Sequence, residues 1–288
     1  MKNDKRRFLV LGAAGQLGRA FVKVLRGESQ HHCFLSHQEL DITDADRLQS
    51  CLKELKPDVV VNCSAYNDVD RAQTDPEPAF RVNARAVQTL AELSRKNHLF
   101  LVHYSTDYVF DGTASKPYSE DDTPNPLSRY GQSKLDGEKA VQGTLSDYLL
   151  LRVSWVFGQG KQNFLAKAAA WARTQNELKI VQDEVSVPTF TDDIVRATIQ
   201  ACAQGLVGLY HLTNTGFSSR YDWVRFFFEK KGFDNKIIPV LSSDFHLPAR
   251  RPKFSAMSNG RLGRILPGGI PSWQDAVERF AREDLGSK

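Results

Sequence analysis

The feature that most constrains this chain is a short apolar strand followed directly by a glycine-rich turn. The strand spans residues 8–11, and the turn carries Gly12, Gly15 and Gly18 before an amphipathic helix that continues to Leu25. Glycines in such a turn let backbone N–H groups approach a pyrophosphate, and the N-terminus of the helix adds favourable partial charge. The same turn can be a tight connection without a ligand. Its place between a first strand and a first helix favours a dinucleotide site.

Strands and helices alternate along the chain after this turn. The run at 58–63 is almost uniformly apolar and β-branched, which is typical of a parallel sheet covered on both faces. Patterning predicts further strands at 33–36, 99–104, 147–153, 178–181 and 208–212, and helices at 44–55, 77–97, 129–141, 163–174, 191–203, 220–231 and 274–283. Thr43 and Thr191 are expected to cap the helices that begin beside them. The pattern predicts an α/β, Rossmann-like, doubly wound parallel sheet.

A second chemical feature lies at and after the central strand. That strand leads into Thr106 and Asp107, and a later helix carries Tyr130 and Lys134, four residues apart and therefore on one face. A hydroxyl facing a phenol with an ammonium beside it suits carbonyl reduction. The hydroxyl holds the oxygen, the phenol gives a proton, and the ammonium lowers the pKa of the phenol. A tyrosine and a lysine at this spacing also occur on solvated helix faces, but the glycine turn favours catalysis.

Composition excludes several classes of partner. The chain has 288 residues and a formal net charge of +4, with lysine and arginine spread out, so we expect no nucleic-acid partner. No run approaches the ~20 apolar residues of a membrane span, and the apolar start is too short for a signal peptide. The four cysteines have no metal-ligand spacing: Cys33, Cys51, Cys63 and Cys202. We expect reduced thiols, a cytoplasmic protein and no metal site.

The end of the second strand bears on the choice of cofactor. NAD sites usually carry an acid there for the ribose 2′-hydroxyl, but this chain has Ser36, His37 and Gln38, with Glu39 just beyond. The missing acid favours NADPH, although NADH stays open. His37 or Arg19 could lie beside a 2′-phosphate, and either could equally be a plain surface residue.

Two features in the second half suggest substrate contacts. Trp155 follows the fifth strand, where a base or sugar could stack, although a buried tryptophan is equally expected. Arg250 and Arg251 lie between prolines and could clamp a diphosphate, because arginine matches phosphate oxygens with a fork of donors. A solvated loop is the alternative. The aromatic side chains of the helix at 220–231 are interpreted as core.

Taken together, these motifs resemble the extended short-chain dehydrogenases and, among them, the dTDP-4-dehydrorhamnose reductases. The resemblance extends over nearly the whole chain. Its most specific segment is 103–112, His-Tyr-Ser-Thr-Asp-Tyr-Val-Phe-Asp-Gly. The glycine turn, the Tyr130–Lys134 helix and shorter segments recur in the same order at 40–44, 57–62, 152–157, 187–189 and 251–252.

The resemblance implies reduction of the C4 carbonyl of dTDP-4-dehydro-L-rhamnose to dTDP-L-rhamnose, with Thr106, Tyr130 and Lys134 as the catalytic residues. It implies cofactor contacts from Gly12, Gly15, Gln16, Leu17, Gly18, Asp41, Ile42, Cys63, Ser64, Ala65, Tyr104, Tyr130 and Lys134. It implies substrate contacts from Thr106, Asp107, Trp155 and Arg251. Residues 1–157 would form the dinucleotide-binding domain. Residues 158–288 would form mainly a smaller α/β substrate-binding lobe, with some segments returning to the core.

Two other functions are compatible with these motifs. The chain could reduce a different nucleotide-linked 4-keto sugar, or it could be a non-catalytic NADP-binding regulatory subunit similar to the methionine adenosyltransferase β subunit. A binding-only protein has no need of an intact Thr/Tyr/Lys set, so the motifs favour an enzyme. A homodimer also stays open. Some members of the family bridge a dimer with Mg²⁺ through a glutamate at the position that Ala20 occupies here. A dimer bridged by Mg²⁺ is therefore not expected.

Overall fold

The computed structural model describes residues 6–26, 32–160 and 162–282; the predicted helix end at residue 283 lies outside them. The strands are β1 (Phe8–Leu11), β2 (Cys33–Leu35), β3 (Val59–Asn62), β4 (Phe100–Thr106), β5 (Tyr148–Val153), β6 (Val156–Phe157), β7 (Glu177–Val181), β8 (Val185–Ser186), β9 (Thr189–Phe190), β10 (Gly208–His211), β11 (Ser218–Ser219) and β12 (Lys236–Val240). The α-helices are α1 (Gln16–Leu25), α2 (Ala45–Leu55), α3 (Val69–Thr74), α4 (Glu77–Phe80), α5 (Ala86–Lys96), α6 (Arg129–Thr144), α7 (Phe164–Ala172), α8 (Thr191–Ala203), α9 (Arg220–Lys231), α10 (Gly260–Ile265) and α11 (Trp273–Ala281).

A six-stranded parallel sheet forms the centre of the molecule. Its strand order is β10-β5-β4-β3-β1-β2, so the chain starts in the interior of the sheet and winds outward in both directions. This order confirms the predicted Rossmann-like fold. Strand β10, which lies far along the chain, pairs with β5 and so returns to this sheet. The division at residues 157 and 158 stays a prediction.

Neighbouring residues of each central strand face opposite cores. Leu9 packs in one apolar cluster with Leu48 of α2 and Leu90 of α5. Val10 packs in a second cluster with Phe21 of α1 and with residues of α8, which contacts α1 on the same face. Because both faces are covered, successive side chains along the strand are all apolar rather than alternating with polar ones.

Close packing holds α6 against the sheet. The hydroxyl of Ser128 caps the helix by accepting from the Gly131 amide at 3.1 Å. A Cβ on Gly137 would overlap the backbone carbonyl of Asn83, so this glycine permits the close approach of α6 to its neighbour. The buried guanidinium of Arg152 on β5 donates to the Glu138 carboxylate of α6 at 2.6 and 2.9 Å.

Three local predictions need correction. Asp44, not Thr43, caps α2, because its carboxylate accepts from the Arg47 amide at 3.0 Å. Helix α8 begins at Thr191 itself and has no side-chain cap. The single helix predicted at 77–97 is interrupted by a π-helical turn at Arg81–Arg85.

The second half of the chain adds an apolar cluster beside the sheet. Parallel strands β7 and β12 pair, and helices α7, α9 and α11 pack with them. Trp223, Phe227 and Phe228 of α9 are buried in this cluster, which confirms that the aromatic residues belong to the core. Within the described residues, no helix has the length and apolar character needed to cross a membrane.

Candidate active site

A cavity of about 960 Å³ lies at the carboxyl ends of β1, β3, β4 and β5. Ligands of open α/β sheets bind at this edge, because the strand order reverses there. Most residues that the sequence predicted for the site line this cavity: Gly12, Gly15, Gln16, Leu17, Asp41, Ile42, Cys63, Ser64, Ala65, Tyr104, Thr106, Asp107, Tyr130, Lys134 and Trp155. Gly18 and Arg251 do not line it.

The glycine turn forms one wall of the cavity. Gly12 has a φ of +76°, and a Cβ there would lie 2.8 Å from Ser64 Oγ and 2.9 Å from the Ser64 backbone nitrogen. Gly15 is the N-cap of α1 and has no side chain to bond the first amides of the helix. A Cβ on Gly18 would overlap the Gly12 carbonyl oxygen, so Gly18 packs the helix onto the turn instead of facing the cavity. The first turn of α1 has no acidic residue, and the wall therefore fits a pyrophosphate.

The far end of the cavity is formed by Asp41, Ile42 and His37. The Asp41 carboxylate accepts from the amide and hydroxyl of Thr43 at 2.9 Å each, which fixes the loop after β2. Arg81 of the π-helical turn also lines this end, although nothing in the sequence pattern suggested it.

Two charged residues, Glu39 and Arg19, do not line the cavity. The Glu39 carboxylate accepts from the backbone amide and hydroxyl of Ser36 at 2.8 and 2.7 Å. Arg19, a predicted neighbour of a 2′-phosphate, donates to the carbonyl oxygens of Ala14 and Gln159. His37 is thus the member of the predicted pair that lies at the cavity.

The three predicted catalytic side chains come together at the middle of the cavity. Thr106 is the last residue of β4, which ends two residues later than predicted, and Tyr130 and Lys134 lie one turn apart on α6. The Tyr130 hydroxyl donates to Asn67 Oδ1 at 3.4 Å, and the Lys134 ammonium donates to the Tyr104 carbonyl at 2.6 Å. All three of these side chains are buried.

Burial dominates the protonation of these groups. It raises the pKa of Tyr130 above its usual value, and the Thr106 hydroxyl opposes this rise. Burial therefore dominates the pKa of Tyr130 in this structure, and the expectation that Lys134 lowers that pKa stays a prediction. Burial also lowers the pKa of Lys134 to about 8, partly offset by the nearby Glu138 carboxylate. At neutral pH the phenol holds its proton and the ammonium is mostly charged.

A group of hydroxyls surrounds Asp107 next to Thr106. Asp107 Oδ2 accepts from Ser186 Oγ at 2.9 Å and from Ser255 Oγ at 2.5 Å, and Oδ1 accepts from Thr106 Oγ1 at 3.3 Å. Burial raises the pKa of this carboxyl, and the hydroxyl bonds act in the opposite direction. Ser186 and Ser255 are 79 and 148 residues away along the chain, so no local pattern could have found them.

The opposite side of the cavity is aromatic and carries a cation. Trp155 has a φ of +36°, and its ring stacks on Trp223 at 5.6 Å between centroids. The guanidinium of Arg220 lies 4.2 Å above the Trp155 ring, and its Nε donates to the buried Glu184 carboxylate at 2.6 Å. Sequence reading missed Arg220, because its contacts come from Trp155 and Glu184 in other segments.

The predicted diphosphate clamp is organised differently. Arg251 forms two hydrogen bonds with the Asp70 carboxylate, at 2.7 and 3.2 Å, and a third with the Ala249 carbonyl at 3.1 Å. Its neighbour Arg250 is exposed and does not line the cavity. Among the described residues, no cluster of His, Cys, Asp or Glu could hold a metal ion.

The fold and the site together define an oxidoreductase of the nicotinamide-dependent, short-chain dehydrogenase class. A glycine turn at β1, an ordered Thr/Tyr/Lys set and a shared cavity are the features of that class. Residues 6–285 match the family model described as the RmlD substrate binding domain. The chain belongs to the dTDP-4-dehydrorhamnose reductase family.

Individual relatives agree with this assignment over almost their full length. The chain is 36% identical to a dTDP-4-dehydrorhamnose reductase of Burkholderia thailandensis, over 97% of this chain and 99% of that protein. It is 33% identical to a dTDP-4-keto-6-deoxy-D-glucose reductase of Streptomyces niveus, over 94% and 95%. The crystal structure of dTDP-4-dehydrorhamnose reductase from Bacillus anthracis, in complex with NADP, superimposes with a TM-score of 0.92 at 31% identity, over 96% of this chain and 98% of that one.

Proposed function

We propose that this protein reduces the C4 carbonyl of dTDP-4-dehydro-L-rhamnose to give dTDP-L-rhamnose, with NADPH as the reductant. The observation that carries the proposal is that Thr106, Tyr130 and Lys134 line the same cavity as the glycine turn. This arrangement places a proton donor and a dinucleotide wall around one space, as a carbonyl reductase requires.

The protein's own groups handle the oxygen of the substrate. Thr106 Oγ1 now donates to Asp107 over a long bond of 3.3 Å, and it can redirect that proton to the C4 oxygen. Tyr130 then gives its phenolic proton to the same oxygen as the carbonyl becomes an alcohol. A raised pKa suits this direction, because the phenol is protonated at neutral pH.

The cofactor site fits NADPH. NADPH, when bound, supplies the hydride that reduces the carbonyl carbon. Gly12, Gly15 and the first turn of α1 would hold the pyrophosphate, and Lys134 would hold the nicotinamide ribose. Arg81 at the far end of the cavity offers a positive charge for a 2′-phosphate and His37 lines the same end, whereas the Glu39 carboxylate is turned to Ser36.

A second substrate is supported by one relative. The Streptomyces niveus protein is named a dTDP-4-keto-6-deoxy-D-glucose reductase, and the same three catalytic residues would serve that reaction. The two sugars differ in stereochemistry, so Asp107 and Trp155 on the substrate side of the cavity would select between them.

Turnover with the two sugars tests the proposal. Purified protein would be mixed with NADPH and either dTDP-4-dehydro-L-rhamnose or dTDP-4-keto-6-deoxy-D-glucose, and loss of reduced-nicotinamide absorbance would be followed while the product sugar is identified. We expect faster oxidation with the first sugar and formation of dTDP-L-rhamnose. Faster turnover of the second sugar would identify dTDP-4-keto-6-deoxy-D-glucose as the substrate instead. Tight NADPH binding with no turnover of either would favour the regulatory-subunit alternative.

We place this activity in the cytoplasm, since none of the four cysteines forms a disulfide bond and the nucleotide-linked substrate is a soluble metabolite. The proposed partner is therefore this small molecule, not a nucleic acid or a membrane. A homodimer stays a prediction.

A further inference from the structure

We infer that Arg220 binds the diphosphate of the nucleotide-sugar substrate, a role that the sequence assigned to Arg251. The inference rests on the proposed function, because it names the group that holds the substrate of that same site. It starts from the distribution of positive charge around the cavity.

Three lysine or arginine side chains line the cavity in the described part of the chain: Arg81, Lys134 and Arg220. Arg81 lies at the cofactor end, close enough to Asp41 to lower the pKa of that carboxyl. The Lys134 ammonium is buried beside the Tyr104 carbonyl. Arg220 is therefore the permanent cation on the substrate side, where a negatively charged diphosphate needs one.

The position of Arg220 is fixed while its terminal nitrogens stay available. The guanidinium lies over two aromatic rings, 4.2 Å from the centroid of Trp155 and 5.1 Å from that of Phe164. Its Nε donates to Glu184 at 2.6 Å, and no described residue accepts a hydrogen bond from either Nη. A guanidinium held by its inner nitrogen presents its outer edge as a fork of donors, which matches phosphate oxygens.

The charge balance around Arg220 also favours an incoming anion. Glu184 compensates Arg220 through one nitrogen, and Asp107, a second carboxyl that the Arg220 charge reaches, has its oxygens occupied by three hydroxyl groups. Arg220 lies close enough to Asp107 and Tyr108 to stabilise negative charge on both. A diphosphate at this point would lie next to the sugar-binding residues and opposite the glycine turn.

Arg251 lacks these properties. Both of its terminal nitrogens donate to Asp70, and one also donates to the Ala249 carbonyl. To bind a phosphate, Arg251 would have to give up a bidentate ion pair and move into the cavity lining. Arg220 needs no such exchange.

Binding of dTDP tests the inference by titration calorimetry, with NADPH affinity measured on the same samples. We expect Arg220→Gln to weaken dTDP about 10- to 100-fold, the range for losing charge-assisted hydrogen bonds, and to leave NADPH affinity unchanged. Arg220→Lys should restore part of the affinity. Arg225→Gln is the matched control, because Arg225 lies on the same helix, exposed and outside the cavity, and it should bind dTDP like the wild type.

A double variant separates direct contact from an effect on Glu184. In Glu184→Gln/Arg220→Gln both charges of the pair are removed, so no unpaired carboxylate is left to repel the ligand. We expect weak dTDP binding in this variant also. Wild-type dTDP affinity in either Arg220→Gln or the double variant would overturn the inference and leave the proposed function intact. A wild-type protein that binds NADPH but no dTDP would instead contradict the proposed function.

Discussion

The two halves of the cavity are built in different ways. The half that we propose for the cofactor consists of strand ends and turns, and Gly12, Gly15 and the 63–65 segment line it. The substrate half consists of side chains, where Asp107, Trp155 and Arg220 are held by partners in other segments. The first half is specified by local sequence and the second by tertiary contacts. A change in one half should therefore leave the other half working.

The largest effect should come from Glu138, which supports both halves because its helix carries Tyr130 and Lys134. Its carboxylate pairs with Arg152, and both side chains are nearly inaccessible. Glu138→Ala leaves a buried guanidinium unpaired, and we expect a loss of about 3–5 kcal/mol in the free energy of unfolding. Urea denaturation measures this loss. Glu177→Ala, which breaks an exposed pair with Lys236, should cost less than about 1 kcal/mol; equal losses in the two variants would contradict the account.

Gly12→Ala should damage the cofactor half alone. Gly12 has a φ of +76° and little room for a Cβ beside Ser64. Strain and overlap together should weaken NADPH binding about 30-fold, as measured by nucleotide fluorescence. Gly205→Ala is the control, since Gly205 also has a positive φ, +67°, but has nothing within 4 Å of the added Cβ. Unchanged NADPH affinity in Gly12→Ala would show that the turn does not hold the cofactor.

The charge of Lys134 should make NADPH binding depend on pH. Its pKa of about 8 means that the ammonium is charged below pH 8 and neutral above it. If the charged form holds the cofactor, NADPH affinity should fall about tenfold as the pH rises from 7 to 9. Lys134→Met should bind weakly at both pH values and show no such fall. Lys139→Met, at an exposed position of the same helix, should show the same fall in NADPH affinity as the wild type. A wild-type affinity that does not change with pH would refute the role of the Lys134 charge.

A smaller effect, confined to the substrate half, is expected from Asp107→Asn. An amide has one oxygen acceptor, so it cannot receive all three hydroxyl bonds that the carboxylate accepts. We expect the KM for the nucleotide sugar to rise about fivefold, with NADPH affinity unchanged. Asp147→Asn, at an exposed position, serves as the control. A loss of NADPH affinity in Asp107→Asn would show that the two halves of the cavity do not act independently.

The distinction between local sequence and tertiary contacts also explains which features could be predicted from the sequence. The parallel sheet, the glycine turn and the Tyr130–Lys134 spacing are local patterns, and the fold confirms the first of them directly. The cap at Asp44 was missed in favour of Thr43, because adjacent residues both suit an N-cap. Arg220 was missed and Arg251 was favoured, because a pair of cations beside prolines is visible in sequence whereas contacts with Glu184 and Trp155 arise only on folding.

The raised pKa of Tyr130 could not have been predicted either. Spacing on a helix shows that Lys134 is near the phenol, but it does not show how deeply both are buried or that the ammonium bonds the Tyr104 carbonyl. Burial outweighs the neighbouring charge here. The Tyr130 phenol therefore holds its proton at neutral pH, as the proposed role of proton donor requires.

Transfer of deuterium from NADPH that carries deuterium at both C4 positions of the nicotinamide tests the central claim most directly. The wild-type protein and Tyr130→Phe would each be incubated with this cofactor and dTDP-4-dehydro-L-rhamnose, and the product sugar would be analysed by mass spectrometry and NMR. The account predicts deuterium at C4 of the sugar with the wild type, and background product with Tyr130→Phe despite normal NADPH binding. Deuterated product formed by Tyr130→Phe at the wild-type rate, or NADPH oxidation that leaves no deuterium on the sugar, would contradict it.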